Sequence, residues 1–363
     1  MAERKEKILR QAVPDLLSWY QANARPLPWR KERTAYHTWI SEIMLQQTRI
    51  EAVIGYYERF LQRFPTIRDI AVCDDDTLMK SWEGLGYYNR ARHIKRAAAI
   101  VTEQYDGELP GTKEELQSLP GIGEYTAAAI ASIIYGEPAA AVDGNVLRVT
   151  ARLLDDPRDV MLSSTRKVMT ALLNSVIPAD FPGDFNEGLM ELGETVCLPV
   201  ESPDCHRCPL HRHCLALAHG NVRKRPVRNP KVSKKSEKMT VLVLIDRNGR
   251  VAVRRRPEQG MLSGLYEFPH IKGHLSRAEV QDYLKTNDWS VAELNALSDH
   301  THVFTHRKWL MKGWLIRLSS SSKKKDESLR FVPPDQLYSV YPIPTAFASY
   351  RDAIGGRPKE PDL

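Results

Sequence analysis

The sequence predicts a multidomain α+β protein: a two-lobed, all-α domain over residues 1–220, a basic linker over 221–238 and a smaller α+β domain over 239–363. Three observations lead there. From Glu6 to about Ala218 apolar residues recur at helical spacing, in lengths cut short by proline and glycine. Between Asn221 and Lys238 eight lysines and arginines stand against one glutamate, and the segment carries Pro226 and Pro230. Beyond it, strand-like apolar runs flank Asn248-Gly249, a strong short-range hairpin signal.

The 363 residues, 42% of them hydrophobic, suffice for a core in each domain. No run is long enough to span a bilayer, and the first residues mix acid with base around no apolar stretch. A soluble, cytoplasmic protein without membrane attachment is therefore expected. The net charge of +7 equals the 8 − 1 = 7 of the basic segment, so the remainder balances near zero. That segment is either a solvated linker or a contact for a polyanion.

The elements follow in chain order. Ile50, Val53, Ile54, Tyr57, Leu61 and Phe64 mark one amphipathic helix. Over about 113–132, in "TKEELQSLPGIGEYTAAAIAS", one helix ends near Leu119, Pro120-Gly121-Ile122-Gly123 turns the chain, and a second helix starts at Glu124. Such a turn exposes helix N-terminal amides beside the amides of Gly121 and Gly123, a cradle for one phosphate; an ordinary helix hairpin gives the same pattern. Asp143 opens "GNVLRVTARLL" as an N-cap. In the last domain "MTVLVLIDRNGRVAVRRR" reads as two strands, "SRAEVQDYLK" as a helix and "KWLMKGWLIRL" as a further strand before the polar run "SSSSKKKDES".

Two carboxylates stand out for chemistry. Glu42 lies among Trp39, Ile40, Ile43 and Met44, surroundings that favour a neutral, proton-donating carboxyl; Asp143 sits near helix N–H groups that favour its ionised form. Two carboxyls of different protonation can supply a proton donor and an anion to one reaction. Four of the five cysteines, Cys197, Cys205, Cys208 and Cys214, are spaced C-x7-C-x2-C-x5-C, which suits either tetrahedral zinc or a 4Fe-4S cluster.

Nine motifs then occur in one order: "LPWR" (27–30), "SEIMLQQTRIE" (41–51), "WEGLGYYNRAR" (82–92), "LPGIGEYTA", "AVDGNVLRV" (141–149), "FNEGLMELGETVC" (185–197), the cysteine loop, "GLYEFP" (264–269) and "HVFTH" (302–306). They span nearly the whole chain and resemble the adenine DNA glycosylases of the MutY family, within the helix-hairpin-helix DNA glycosylase superfamily. The resemblance implies a monofunctional enzyme of base excision repair that flips adenine out of double-stranded DNA, where it is mispaired with 8-oxoguanine or G, and hydrolyses its N-glycosidic bond.

Residue by residue, it implies that Glu42 protonates the adenine at N7 and that Asp143 stabilises the oxocarbenium-like sugar or attacks it transiently, with Asn145 orienting Asp143 or the DNA backbone. Tyr125 stands where strand-cleaving relatives carry a lysine; a phenol offers no amine for a Schiff base, so efficient lyase activity is not expected. Glu187 matches a pocket position. Gln47 and Tyr87, with Leu85 beside them, match the wedge that fills the hole left by the flipped base. Arg25, Arg30, Thr48, Arg148, Gly121 and Gly123 are expected DNA contacts, and Arg49, Arg90 and Arg92 candidate phosphate contacts.

For the cysteine loop the resemblance implies a 4Fe-4S cluster, with zinc the lesser alternative; the first gap of seven residues exceeds the family's usual six. The last domain resembles the Nudix hydrolases without their glutamate-rich metal-binding helix. Recognition rather than nucleotide hydrolysis is implied, with Phe304, Thr305 and His306 meeting 8-oxoguanine. A monomer that associates with the nucleoid through DNA is expected.

Overall fold

The computed structural model describes residues 2–199, 203–229, 235–319 and 327–355. The backbone divides into two compact units, Met1–Val72 with Arg92–Lys231 and Cys73–Ala91 with Val232–Leu363.

The first unit is helical. Its N-terminal helix, Ala2–Asn23, packs against helices Gly144–Leu153, Ser163–Asn174 and Pro182–Thr195 around a core that includes Leu9, Leu16, Val146, Met169, Phe185 and Leu192. Lys5 reaches Asp156, which is fully buried, at 2.8 Å and so ties this helix to the far side of the core. Helices Ala35–Leu45 and Glu124–Ile134 pack on each other, and Glu124–Ile134 also meets Lys113–Ser118 and Pro182–Thr195. Its run of Ala127, Ala128, Ala129 and Ala131, all fully buried, leaves room for that close approach.

The helix–turn–helix is where the sequence places it, with Gly123 as the N-cap of Glu124–Ile134. Gly121 has φ +81°, and a Cβ there would lie 2.4 Å from His93 Cβ, so backbone conformation and space both require glycine. Gly123 has φ −86° and open space around it; its value is access.

The second unit is α+β. Its strands are β1 (Lys235–Ile245), β2 (Val251–Arg255), β3 (Tyr266–Glu267), β4 (His270–Lys272), β5 (Val291–Val303), β6 (Arg307–Leu318) and β7 (Leu329–Val332). They form a mixed sheet of order β3-β2-β1-β6-β5, with β4 on β1 and β7 on β2. The expected hairpin is present, β1 and β2 meeting at Ile245 and Val251. β1 runs parallel to β6, and β5 antiparallel to it. β1 is apolar on both faces because both are covered: Val241 and Val243 join Phe268, Phe347 and Tyr350, whereas Leu242 and Leu244 join Val280 and Leu284 of helix Arg277–Thr286. Ser276 and Glu279 cap that helix reciprocally.

Two boundaries differ from the sequence expectation. Strand β1 begins at Lys235, inside the segment taken as linker, because its first residues pair with β6 from Arg307 onward. Residues 73–91, read as part of the helical domain by continuity of pattern, belong to the second unit. There Lys80 Nζ donates to the carbonyls of Leu337 and Tyr341 at 3.2 Å, Arg351 pairs with Glu83 at 2.5 Å, and Tyr266 Oη donates to Asp76 at 3.3 Å. Residues 320–326, most of the polar run, and 230–234 lie outside the described residues. No described helix is long and apolar enough to cross a membrane.

Candidate active site and cysteine loop

In the helical unit, Glu42, Tyr125, Asp143 and Glu187 line one cavity of about 620 Å³. That volume suits a nucleobase with part of its sugar. Glu42 comes from helix Ala35–Leu45, capped where Thr34 accepts from the His37 amide at 3.0 Å. Trp39, Ile40, Ile43 and Met44 are at most 2% exposed and Glu42 itself 7%, the apolar setting its neighbours imply.

Burial pushes the Glu42 carboxyl up to about 7. Tyr125 Oη, donating to Glu42 Oε2 at 2.6 Å, pulls the other way; Asp143 and Glu187 push it up and Arg30 pulls it down. A group at that value can hold a proton and release it near neutral pH. Tyr125 rises well above the ordinary phenol value, through burial first and then Glu42 and Asp143, so it stays a neutral phenol.

Asp143 is the N-cap of helix Gly144–Leu153, its Oδ1 accepting from the Val146 amide at 2.7 Å. Asn145 Nδ2 donates to Asp143 Oδ2 at 3.0 Å and to Glu194 Oε1 at 2.7 Å. Burial raises Asp143, and the amides of Val146 and Asn145 with Arg148 oppose it. The cap role and the pocket role coincide.

One wall of the cavity is a single helix face. Glu187, Met190, Glu191 and Glu194 project from Pro182–Thr195 at i, i+3, i+4 and i+7 and all line the pocket. Arg30 binds Glu187 and Glu191 at 3.0 Å each, Arg33 binds Glu187 at 2.9 Å, and Arg25 binds Glu191. Arg25 and Arg30 are thus paired with carboxylates of the cavity wall. Arg166, which also lines the cavity, donates to the Val142 carbonyl and steadies the residue before Asp143.

Arg148 and Leu85, expected as DNA contacts, are both buried. Arg148 is 4% exposed and donates to Asn145 Oδ1 at 2.7 Å, Gly193 O at 2.9 Å and Cys197 O at 2.8 Å; it connects the Asp143 cap to the cysteine loop and has no surface for phosphate. Leu85 is 5% exposed, and Arg90, 9% exposed, is folded back on the Leu85 and Gly86 carbonyls. Gln47 and Tyr87 are exposed, and both have non-glycine positive φ, +60° and +49°. Strain of that kind is held where a side chain must project. Gln47 and Thr48 line the cavity with Gly121 and Gly123.

In the second unit Phe304, Thr305 and His306 form the turn between β5 and β6, closed by the Phe304 amide on Arg307 O at 2.8 Å. Phe304 packs edge-on against His302 and Trp309, which leaves Thr305 and His306 exposed. Tyr87 Oη and Thr305 Oγ1 are 3.1 Å apart.

Cys197, Cys205, Cys208 and Cys214 border one small cavity of about 30 Å³. Arg152 Nη1 lies 3.2 Å from Cys197 Sγ. Burial pushes Cys208 up to about 12, with its neighbouring thiols adding to the rise and the Leu210 amide opposing it. Four such thiols ionise together only around a cationic group. Among the described residues no group of three or more His, Cys, Asp or Glu side chains is disposed to hold a metal ion, these four cysteines included.

The signal for Met190, Glu191 and Glu194 was in the sequence, as the i, i+3, i+4, i+7 continuation of Glu187. Arg166 had no local signal, since its role depends on a contact 24 residues away.

Comparison with known proteins identifies the family. Residues 40–178 match the family described as HhH-GPD superfamily base excision DNA repair protein, and residues 240–353 match the NUDIX domain. The adenine DNA glycosylase of Arabidopsis thaliana is 35% identical over 85% of this chain, which spans 58% of that protein's length. That of Rattus norvegicus is 34% identical, covering 85% of this chain and 70% of the rat protein; that of Buchnera aphidicola from Acyrthosiphon pisum is 32% identical, covering 84% and 85%. Among solved structures, a thermostable thymine-DNA glycosylase is 29% identical and covers 60% of this chain and 98% of its own, with a TM-score of 0.53. A trapped endonuclease III–DNA covalent intermediate is 26% identical and covers 61% and 98%, with a TM-score of 0.51. The chain belongs to the adenine DNA glycosylase family, with a helix-hairpin-helix base-excision domain followed by a NUDIX domain.

Proposed function

We propose that this protein is a monofunctional adenine DNA glycosylase that removes adenine paired with 8-oxoguanine or G from double-stranded DNA, acting as a monomer in the cytoplasm on nucleoid DNA. The carrying observation is Glu42: a carboxyl buried to a value of about 7 and lining the same cavity as Asp143. Glu42 gives its proton to N7 of the extruded adenine, which then departs as a neutral base. Asp143, held by the Val146 amide and Asn145, presents its carboxylate to the cationic sugar. Water completes an abasic site.

Tyr125 occupies the first turn of the second hairpin helix and has no amine, which favours hydrolysis without a sugar–enzyme Schiff base. Gly121 and Gly123 offer amides to a phosphate, Gln47 and Tyr87 enter the duplex, and Thr305 and His306 read the base opposite adenine. Cys197, Cys205, Cys208 and Cys214 would hold a 4Fe-4S cluster, zinc being the smaller rival. When bound, the cluster supplies a fixed, charged anchor for the loop 197–214 and no acid–base chemistry.

Single-turnover incubation with duplexes holding A opposite 8-oxoguanine, G or T tests the reading. Abasic product from the first two, with strands that break only after alkali, is expected. No excision, or breakage without alkali, would overturn it.

A further inference from the structure

Tyr125 has one hydroxyl proton and two acceptors within reach, Glu42 Oε2 at 2.6 Å and Met190 Sδ at 3.1 Å. The first is the group expected to gain and lose a proton in each cycle. The second is a thioether, a weak and uncharged acceptor that lines the same cavity. A leucine would fill the position about as well and accept nothing.

The arrangement has a consequence for where protons can stand. With Glu42 ionised, the phenol donates to Oε2. With the Glu42 proton on Oε2, the two oxygens cannot both donate into a 2.6 Å contact, so the phenol must accept and turn its own O–H elsewhere. Met190 Sδ is where it can turn. The other groups that act on this pair are Asp143 and Glu187, which oppose negative charge on Glu42, and Arg30, which favours it.

We propose that Met190 is a positioning residue: its sulfur accepts the Tyr125 hydroxyl when Glu42 carries its proton on Oε2, so that the tyrosine alternates between donor and acceptor as Glu42 is spent and reloaded. No bond other than O–H and its hydrogen bonds changes, and the proton lost to the base is regained from water. The inference rests on the glycosylase reading of this cavity.

The test is Met190→Leu in the full chain, alone and combined with Tyr125→Phe, read in two ways. The first is the infrared band of the protonated Glu42 carboxyl, assigned by its absence in Glu42→Gln and titrated with pH. The second is the pH profile of single-turnover excision from an A:8-oxoguanine duplex. With leucine the phenol is left as a permanent donor, which favours the carboxylate. The Glu42 midpoint should therefore move to lower pH, and excision at pH 8 should fall about three- to tenfold while the low-pH plateau is kept. In the Tyr125→Phe background Met190→Leu should move nothing. An unshifted infrared midpoint, or the same shift without the tyrosine hydroxyl, overturns the role given to Met190. The band in wild-type protein and its shift in Met190→Leu, with no adenine excised by wild type, would instead overturn the glycosylase reading.

Discussion

Replacing Glu42 by glutamine should destroy excision and, at the same time, make the protein more stable at neutral and alkaline pH. Glutamine keeps the shape and an oxygen that can accept from Tyr125, but it has no charge to lose to burial. In the native protein the carboxyl is moved from 4.5 to about 7, mainly by burial. A carboxyl raised in this way binds a proton more tightly when folded, so its contribution is fully favourable below the unfolded value and is lost as pH rises through the folded one. That rise corresponds to about 3 kcal/mol of penalty at pH 8, against less than about 1 kcal/mol at pH 5. The stability advantage of Glu42→Gln over the native protein should thus grow by about 2–3 kcal/mol between those pH values, or roughly 5–10 °C in the melting of the helical unit. Paired melting curves from pH 5 to 9, with adenine release measured on the same samples, check both halves. A constant stability difference across that range would refute the buried-acid argument, and retained excision would refute Glu42 as proton donor.

Other outcomes follow from the same geometry. Gly121→Ala sets a Cβ 2.4 Å from His93 Cβ on a backbone at φ +81°; it should cost about 1–3 kcal/mol by urea unfolding and weaken duplex binding. Asp156 is fully buried, and although burial opposes ionisation, Arg158 and Lys5 hold its carboxyl well below the usual range. Asp156→Asn should lower stability by about 2 kcal/mol at pH 7, with the deficit closing as acid protonates the native aspartate. Cys208→Ser should remove iron and acid-labile sulfide together and lower the melting temperature of the helical unit; zinc in the native protein without sulfide would reject the cluster. Thr305→Val removes the Tyr87 partner at 3.1 Å and should narrow the preference for 8-oxoguanine over G roughly two- to fivefold in single-turnover rates.

Local chemistry made several of these features readable from the chain alone. The glycine turn at 120–123, the Asp143 cap, the apolar setting of Glu42, the hairpin at Asn248-Gly249 and the helix in "SRAEVQDYLK" each depend on residues within a few positions of one another, and each forms as its neighbours dictate. The cysteine spacing likewise raised the expectation of a metal loop, and the four thiols do come to border one small cavity.

Only the tertiary structure decided what the long charged side chains do. Arg25, Arg30 and Arg148 look alike in sequence to any surface arginine, yet carboxylates and carbonyls from helix Pro182–Thr195 and from Cys197, some 45 to 166 residues away, have taken their donors. Arg30 and Met190 become parts of the pocket because segments distant in sequence meet around it. Residues 73–91 join the second unit because Lys80, Glu83 and Asp76 find their partners beyond residue 265. Helices, turns and caps are set by interactions over a few residues and are therefore written locally. The partner of a buried charge is set by which distant segments the core brings together, and no local pattern carries that information.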